Sequence, residues 1–194
     1  DQGYRRGPIN EDTLEVAVGW YGDETAEMAL RELYERHGRS RDDLRALHYG
    51  EELPETGEYR PPGSSDLSGV GLAALREGQG DSAVAAMLEY GEHGGGHGHP
   101  DKLQLILYGL GRTLMPDLGT TGYGVPLHRQ WYKTTPAHNT VTIGTSSQGA
   151  TTGELIDFRT GDGWSSATAR STGAYEGWEL ERRVLLTEGV LVDE

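Results

Sequence analysis

The stretch at residues 51–65 constrains the fold most, because Pro54, Pro61 and Pro62, with Gly50, Gly57 and Gly63 around them, suit neither a helix interior nor a central strand. The hydrophobic period differs on its two sides. Before it, Leu14, Val16, Ala17, Val18 and Trp20 predict a short buried helix with Asn10 as a possible N-cap, after a polar loop at residues 1–8. Asp23 is expected to cap a second helix running to about His37, whose Ala26, Leu30, Leu33 and Tyr34 form one apolar stripe, and Gly38 supplies the stop. Ser40 then caps a shorter helix holding Leu44, Leu47 and His48. Paired helices with brief connections have the texture of a helical hairpin array, in which His37 and His48 read as structural residues at helix C-termini.

Beyond residue 65 the chain runs in strand-length segments. Strands are expected at residues 69–76, 81–90, 103–108, 112–115, 139–143, 154–159, 164–170, 178–186 and 189–192, with a turn at residues 78–81. Residues 84–88 have helix-forming Ala and Met, but the bracketing turns and short length favour a strand. Spacings of roughly ten residues and 30 glycines suggest an antiparallel sandwich rather than alternating strand and helix units. No repeat of fixed period is present.

The 194 residues suffice for a sizeable core. The formal charge of −14, from 17 basic and 31 acidic residues, is spread along the chain and opposes nucleic acid and anionic membranes as partners. The absence of cysteine excludes disulfides and thiolate ligands. No apolar run reaches the length of a membrane span, and no signal peptide is visible. A start at Asp1 without methionine and a stop at Glu194, straight after strand-like residues, point to a piece of a longer polypeptide.

Chemistry concentrates in Gly94-Gly-Gly-His-Gly-His-Pro-Asp-Lys102, Met115-Pro-Asp-Leu-Gly119 and Thr135-Pro-Ala-His-Asn-Thr140. In an extended backbone His97 and His99 project from one face, so both imidazoles are expected to enter one site. Asp117 and His138 lie beside apolar strand patterns. A sheet that gathers these segments would offer two imidazoles and a carboxylate, a zinc-like set with a position open to water or substrate. The competing reading is a Gly-rich surface loop with unrelated histidines, since His-x-His alone is a weak signal. The connection between Asp117 and His138 carries Tyr123, His128, Arg129, Trp131, Tyr132 and Lys133, whose aromatic rings and cations suit an anionic saccharide. Alternatively, Trp131 and Tyr132 pack as the start of a strand. There is no phosphate-cradling Gly-Lys-Ser/Thr ending and no nucleophile elbow.

These blocks, together with Ser64-Ser-Asp-Leu-Ser-Gly-Val-Gly-Leu-Ala-Ala-Leu-Arg76, Tyr123-Gly124, Tyr132-Lys-Thr-Thr-Pro-Ala-His-Asn-Thr-Val141 and Gln148, resemble the heparinase II/III-like polysaccharide lyases, which include heparin and heparan sulfate lyases and oligoalginate lyases. The resemblance covers residues 64–194. It implies an α+β multidomain fragment: the last helices of an α/α toroid at residues 1–54, a linker at 55–65, and a mainly antiparallel β-sandwich at 66–194, incomplete at its C-terminus. The rest of the toroid and of the sandwich would belong to the same polypeptide. The resemblance further implies Zn²⁺, mainly structural, on His99, Asp117 and His138. His97 would face the substrate, and Tyr123 or Tyr132 would be the active-site tyrosine. Leu118 stands where the family often has proline.

The implied reaction is β-elimination across a uronic acid, on an acidic polysaccharide or oligosaccharide such as alginate or a glycosaminoglycan. Imidazole and phenol suit its proton transfers, and Arg129, Trp131 and Lys133 are expected to bind the substrate. The resemblance puts a further tyrosine and an Asn/His pair on the toroid. A bacterial cell-envelope location, periplasmic or secreted, goes with it. Two other classes compete. A cupin-type oxygenase would use His-x-His, but Pro100, Asp101 and Lys102 occupy the region where its glutamate belongs. A non-catalytic carbohydrate-binding sandwich would explain the aromatics but not the histidines.

Overall fold

The computed structural model describes residues 11–37, 41, 44–55 and 57–194. It divides into two compact units, Asp1–Pro62 and Gly63–Glu194.

The first unit is helical. Helix α1 spans Glu11–Tyr21, α2 Glu24–His37 and α3 Leu44–Tyr49. The expected stripe on α2 packs on α1, with Leu14, Val18, Ala29, Leu30 and Leu33 as the buried core. Asp23 is the N-cap of α2: its Oδ1 accepts from the Ala26 N–H at 2.9 Å. Asn10, Gly38 and Ser40 lie outside the described residues. Glu15 is fully buried beside this core, and Arg41 holds both its oxygens at 2.7 Å while the Tyr34 hydroxyl donates at 2.8 Å. A carboxylate taken out of water needs such complete pairing. Leu53 and Tyr59 of the Pro/Gly stretch pack against the same core, and Arg31 donates to the carbonyls of Pro54 and Gly57.

The second unit consists of two antiparallel sheets in chain order. Strands β1 (Ser65–Leu67), β2 (Leu72–Glu77), β3 (Val84–Glu89), β4 (Leu105–Gly109) and β5 (Arg112–Met115) form the first. Strands β6 (Glu154–Gly161), β7 (Trp164–Ser171), β8 (Leu180–Thr187) and β9 (Val190–Asp193) form the second. Period-two alternation turns Ala73 and Leu75 of β2, Ala86 and Leu88 of β3, Ala167 and Ala169 of β7, and Val184 and Leu186 of β8 into one shared core. Both sheets mix alanines with larger aliphatic side chains on their inner faces, which lets the layers interdigitate. Removing one of these leucine side chains is expected to destabilise by roughly 2–5 kcal/mol. Glu77 ties the sheets at one end, its carboxylate accepting from the Glu188 and Gly189 N–H groups at 2.9 and 2.8 Å.

The strand expected at residues 139–143 is absent. Strand β4 pairs with β3 on one edge and with β5 from Leu107 onwards on the other, which leaves only its first two residues open, and there the Leu105 N–H bonds the Asn139 carbonyl at 3.1 Å. The buried Gln148 side chain stands in for a neighbouring strand. Its Oε1 accepts from Lys102 N–H at 2.8 Å, and its Nε2 donates to the Lys102 and Val141 carbonyls at 3.2 and 3.4 Å. Trp131 and Tyr132 do not begin a strand either; they end a π-helical turn at His128–Tyr132. Strand β1, in contrast, begins inside the stretch expected to be linker. The region between β5 and β6 is thus nearly free of strands, and it carries most of the chemistry.

Among the described residues no helix is long and apolar enough to cross a membrane.

Candidate functional site

The Gly-rich segment between β3 and β4 decides where the two histidines of His-x-His go. Gly95 has a φ of 59°, and a 3-10 turn covers Gly95–His97 before Gly98 resumes an extended backbone. Gly98 admits no larger residue: a Cβ there would come within 2.4 Å of the Gly94 nitrogen. The extended backbone expected from residue 97 to 99 is therefore corrected to a turn. The two imidazoles reach one cleft, but with different partners.

His99 enters a compact polar cluster. Its Nδ1 lies 3.2 Å from Nε2 of His138, and Nδ1 of His138 is 2.6 Å from Oδ2 of Asp117. The other Asp117 oxygen accepts from the Gly119 N–H. The potential ligand atoms of His99, Asp101 and His138 all lie within 4.8 Å of one another. His138 is buried and His99 half-buried. Burial holds the His99 pKa below the ordinary imidazole range, assisted by His138 and Lys133, while Asp101 and Asp117 act the other way. Burial also disfavours charge on His138, but the hydrogen bond and charge of Asp117 outweigh it and raise that pKa. A hydrogen bond with the Tyr132 backbone adds to the rise.

The donor set fits a zinc ion. Zn–N bonds of about 2.0–2.1 Å put two tetrahedral nitrogen ligands roughly 3.3 Å apart, close to what His99 and His138 show. Asp117, on the far nitrogen of His138, sits as the carboxylate that orients a metal-binding imidazole. Asp101 brings a carboxylate oxygen within 4.8 Å of a ring nitrogen of each histidine. Asp101 escaped the sequence reading, in which it was only the residue replacing a cupin glutamate.

The cleft around this cluster has a volume of about 320 Å³ and is lined by Glu89, Glu92, His97, His99, Asp101 and Asp117 among others. Lys102 is buried at its floor, its Nζ 3.1 Å from Glu89 and 3.5 Å from Asp101. Burial and then the Asp101 charge raise the Glu89 pKa, with Lys102 opposing them. Four carboxylates against one buried ammonium leave the cleft electronegative, so a divalent cation would be favoured there.

His97 occupies the open end. Its Nδ1 shares a 2.6 Å hydrogen bond with the hydroxyl of Tyr123, and the two rings meet edge to face at 5.8 Å. Tyr123 is 64 % exposed. Lys133 donates to the Gly96 carbonyl at 3.0 Å, so its ammonium steadies the turn that presents His97. Tyr132 is half-buried, while Arg129 and Trp131 stand exposed on the π-helical turn, outside the lining of the cleft.

The supports come from further away. Buried Arg182 on β8 donates to the carbonyls of Leu103 and Asn139, both at 2.7 Å, and pairs with Asp193 at 2.6 Å. Leu103 is held at a φ of 61°, a left-handed conformation costing on the order of 1–3 kcal/mol, and this Arg182 bond helps to fix it. Thr135 braces Pro100 by a 2.6 Å bond to its carbonyl.

Fold and site together define a two-sheet antiparallel sandwich whose connections carry a cleft of histidines and carboxylates. The C-terminal domain model of the heparinase II/III-like family matches residues 59–192, and the chain belongs to that family. An exo-oligoalginate lyase of Saccharophagus degradans is 28 % identical over 214 residues, covering 92 % of this chain and 29 % of that protein. The solved heparan sulfate lyase HepC from Pedobacter heparinus matches with a TM-score of 0.63 at 23 % identity, over 88 % of this chain and 27 % of that one. A heparinase III structure matches at 0.58 and 21 %, over 84 % and 27 %. The chain therefore spans less than a third of the length of these relatives. At the level of the family it is a relative of polysaccharide lyases.

Proposed function

We propose that the polypeptide containing this chain is a polysaccharide lyase that cleaves a uronic-acid-containing polysaccharide, alginate or a glycosaminoglycan, by β-elimination. This chain would supply the sandwich wall of the cleft. The reading is carried by the 2.6 Å contact between the Tyr123 hydroxyl and Nδ1 of His97, a residue that lines the cleft together with His99.

In this reaction a base removes the proton at C5, its electron pair becomes the C4–C5 double bond, and the C4–O4 bond breaks as O4 gains a proton. Charge developing on the neighbouring carboxylate must be met by a cation or by hydrogen-bond donors. Tyr123 is assigned the proton donated to O4, and His97 holds the phenol in place and passes it a proton taken up from water, while the base releases the C5 proton to water. Tyr132 is the second tyrosine expected at the site, and the bond to His97 favours Tyr123. Arg129, Trp131 and Lys133 are proposed to meet the acidic chain of the substrate.

His99 and His138, with Asp101 or Asp117 as the carboxylate, would hold zinc, which when bound supplies positive charge among four carboxylates and pins the loops. The proton-transfer groups that the resemblance places on the toroid complete the site. In the same proposal, residues 1–54 belong to that toroid, 55–65 link it to the sandwich at 66–194, and the protein acts in the bacterial cell envelope, periplasmic or secreted.

The test is incubation of the full-length protein with alginate, heparan sulfate, chondroitin and hyaluronan oligosaccharides. Elimination leaves an unsaturated uronate that absorbs in the ultraviolet, without consuming oxygen. Two histidines and a carboxylate also suit a non-haem iron. Bound iron with oxygen uptake and no unsaturated product would replace the lyase by an oxygenase.

A further inference from the structure

Tyr123 poses a problem that its bond to His97 does not solve. It is an exposed side chain on an irregular loop, and a phenol with two free torsions there would sweep a wide arc. A proton donor must instead stay within hydrogen-bond reach of one atom. Something other than burial has to fix the ring.

The fixing element is a second imidazole in contact with Tyr123. The His128 ring meets the Tyr123 ring edge to face, with centroids 5.0 Å apart and planes at 75°. His128 is buried, at 4 % exposure, and opens the π-helical turn. Its Nδ1 is 2.9 Å from the hydroxyl oxygen of Thr120, a residue that itself lines the cleft. The His128 N–H donates to the Val125 carbonyl at 2.9 Å and its carbonyl accepts from Lys133 N–H at 2.9 Å. The Thr120–His128 bond therefore clips shut the segment that carries Tyr123. Three aromatic rings in series, His128, Tyr123 and His97, run from a buried anchor to the open cleft.

We infer that His128, oriented by Thr120, is a positioning residue that sets the direction of the Tyr123 hydroxyl towards His97. Packing alone does not call for this arrangement. A buried apolar ring would fill the same volume, whereas an imidazole tied through one nitrogen has a fixed ring plane, and an edge-to-face partner inherits that plane. An edge-to-face contact is strong enough to bias one ring orientation and too weak to hold a fold together. In the proposed reaction His128 does not touch the substrate.

The inference rests on the lyase reading for its kinetic consequence but not for its structural one, and the experiment uses both. In the full-length protein, Thr120→Val and His128→Phe are compared with Thr120→Ser. The first two should lower kcat by about tenfold to a hundredfold, the scale of a small misplacement of a reacting group, with KM within about twofold and metal content unchanged. Thr120→Ser keeps the hydroxyl and should keep the rate. In parallel, NMR of protein carrying labelled tyrosine should show the proton shared by Tyr123 and His97 in the parent and in Thr120→Ser, and its loss in Thr120→Val and His128→Phe. If the parent produces no unsaturated uronate, the lyase reading fails while the NMR comparison still decides the positioning role. If Thr120→Val and His128→Phe both retain the shared proton, His128 only packs, and the inference is overturned.

Discussion

The two ends of the cleft treat chemically identical histidines, two residues apart, in opposite ways. His99 faces another imidazole and a carboxylate within 4.8 Å, next to a buried His138 that Asp117 anchors. His97 is exposed and bonded to a phenol that is itself exposed. The first arrangement suits a fixed charge, because its donors converge and burial there disfavours a proton on His99. The second suits a proton that moves, because water and substrate reach it and its partner can both give and accept. Residue type does not distinguish them. The turn at Gly95–His97 does, by aiming one ring outwards and the next inwards.

The largest expected effect tests the open end. His97→Ala and Tyr123→Phe in the full-length protein should each lower turnover by about 10² to 10⁴, as for other positioned proton-transfer groups, and both should leave the metal bound. Loss of metal from His97→Ala, read by elemental analysis, would break the division of labour between the two histidines.

Next in size is the closed end. His99→Ala and His138→Ala should abolish stoichiometric zinc and lower the melting temperature, because binding energy to the native state alone is folding energy. The carboxylates sharpen the comparison. An aspartate that only orients His138 should, as asparagine, weaken metal binding by about 10–100-fold, whereas a direct ligand should lose more. Metal titration of Asp101→Asn beside Asp117→Asn assigns the two roles. Asp117 lies 2.6 Å from His138 Nδ1, and Asp101 has an oxygen within 4.8 Å of a ring nitrogen of each histidine, so the larger loss is expected for Asp101→Asn.

The smallest effect concerns pH in the metal-free protein. The folded state raises the His138 pKa, so it binds that proton more tightly than the unfolded chain does. The resulting stability is fully present below the unfolded imidazole pKa of about 6.5 and is lost as pH rises through the folded value. A charged hydrogen bond of this type contributes roughly 1.5–3 kcal/mol. Denaturant midpoints of the apo protein should therefore fall between about pH 5.5 and about pH 8.5 by more than those of Asp117→Asn. Equal slopes would mean that the pair does not hold His138 charged.

Much of the fold was legible because periodicity reports burial. The α2 stripe, the Asp23 cap and eight of the nine strands follow from which side chains must leave water. The family was legible too, since its blocks are local strings. Residues 139–143 misled for a definite reason: alternation says which face is apolar, not how much of a strand edge is free, and β4 had only Leu105 and Ile106 left beside β5. Lys102 closes the Gly-rich block in the sequence and is buried beside the cleft, a placement that depends on Glu89 and Asp101 arriving beside it.

By itself the sequence determined the helical unit, the sandwich, and the histidine, aspartate and tyrosine types available to the cleft, because each depends on local pattern and residue chemistry. Only the tertiary structure decided that His99 meets His138, that Asp117 bonds His138 Nδ1 while Asp101 comes within 4.8 Å of both histidines, and that Tyr123 touches both His97 and His128. Those pairings join residues from separate connections, and their distances are set by the packing of β3, β4 and β8 beneath them, through Arg182 and Gln148. No local period encodes a contact of that kind.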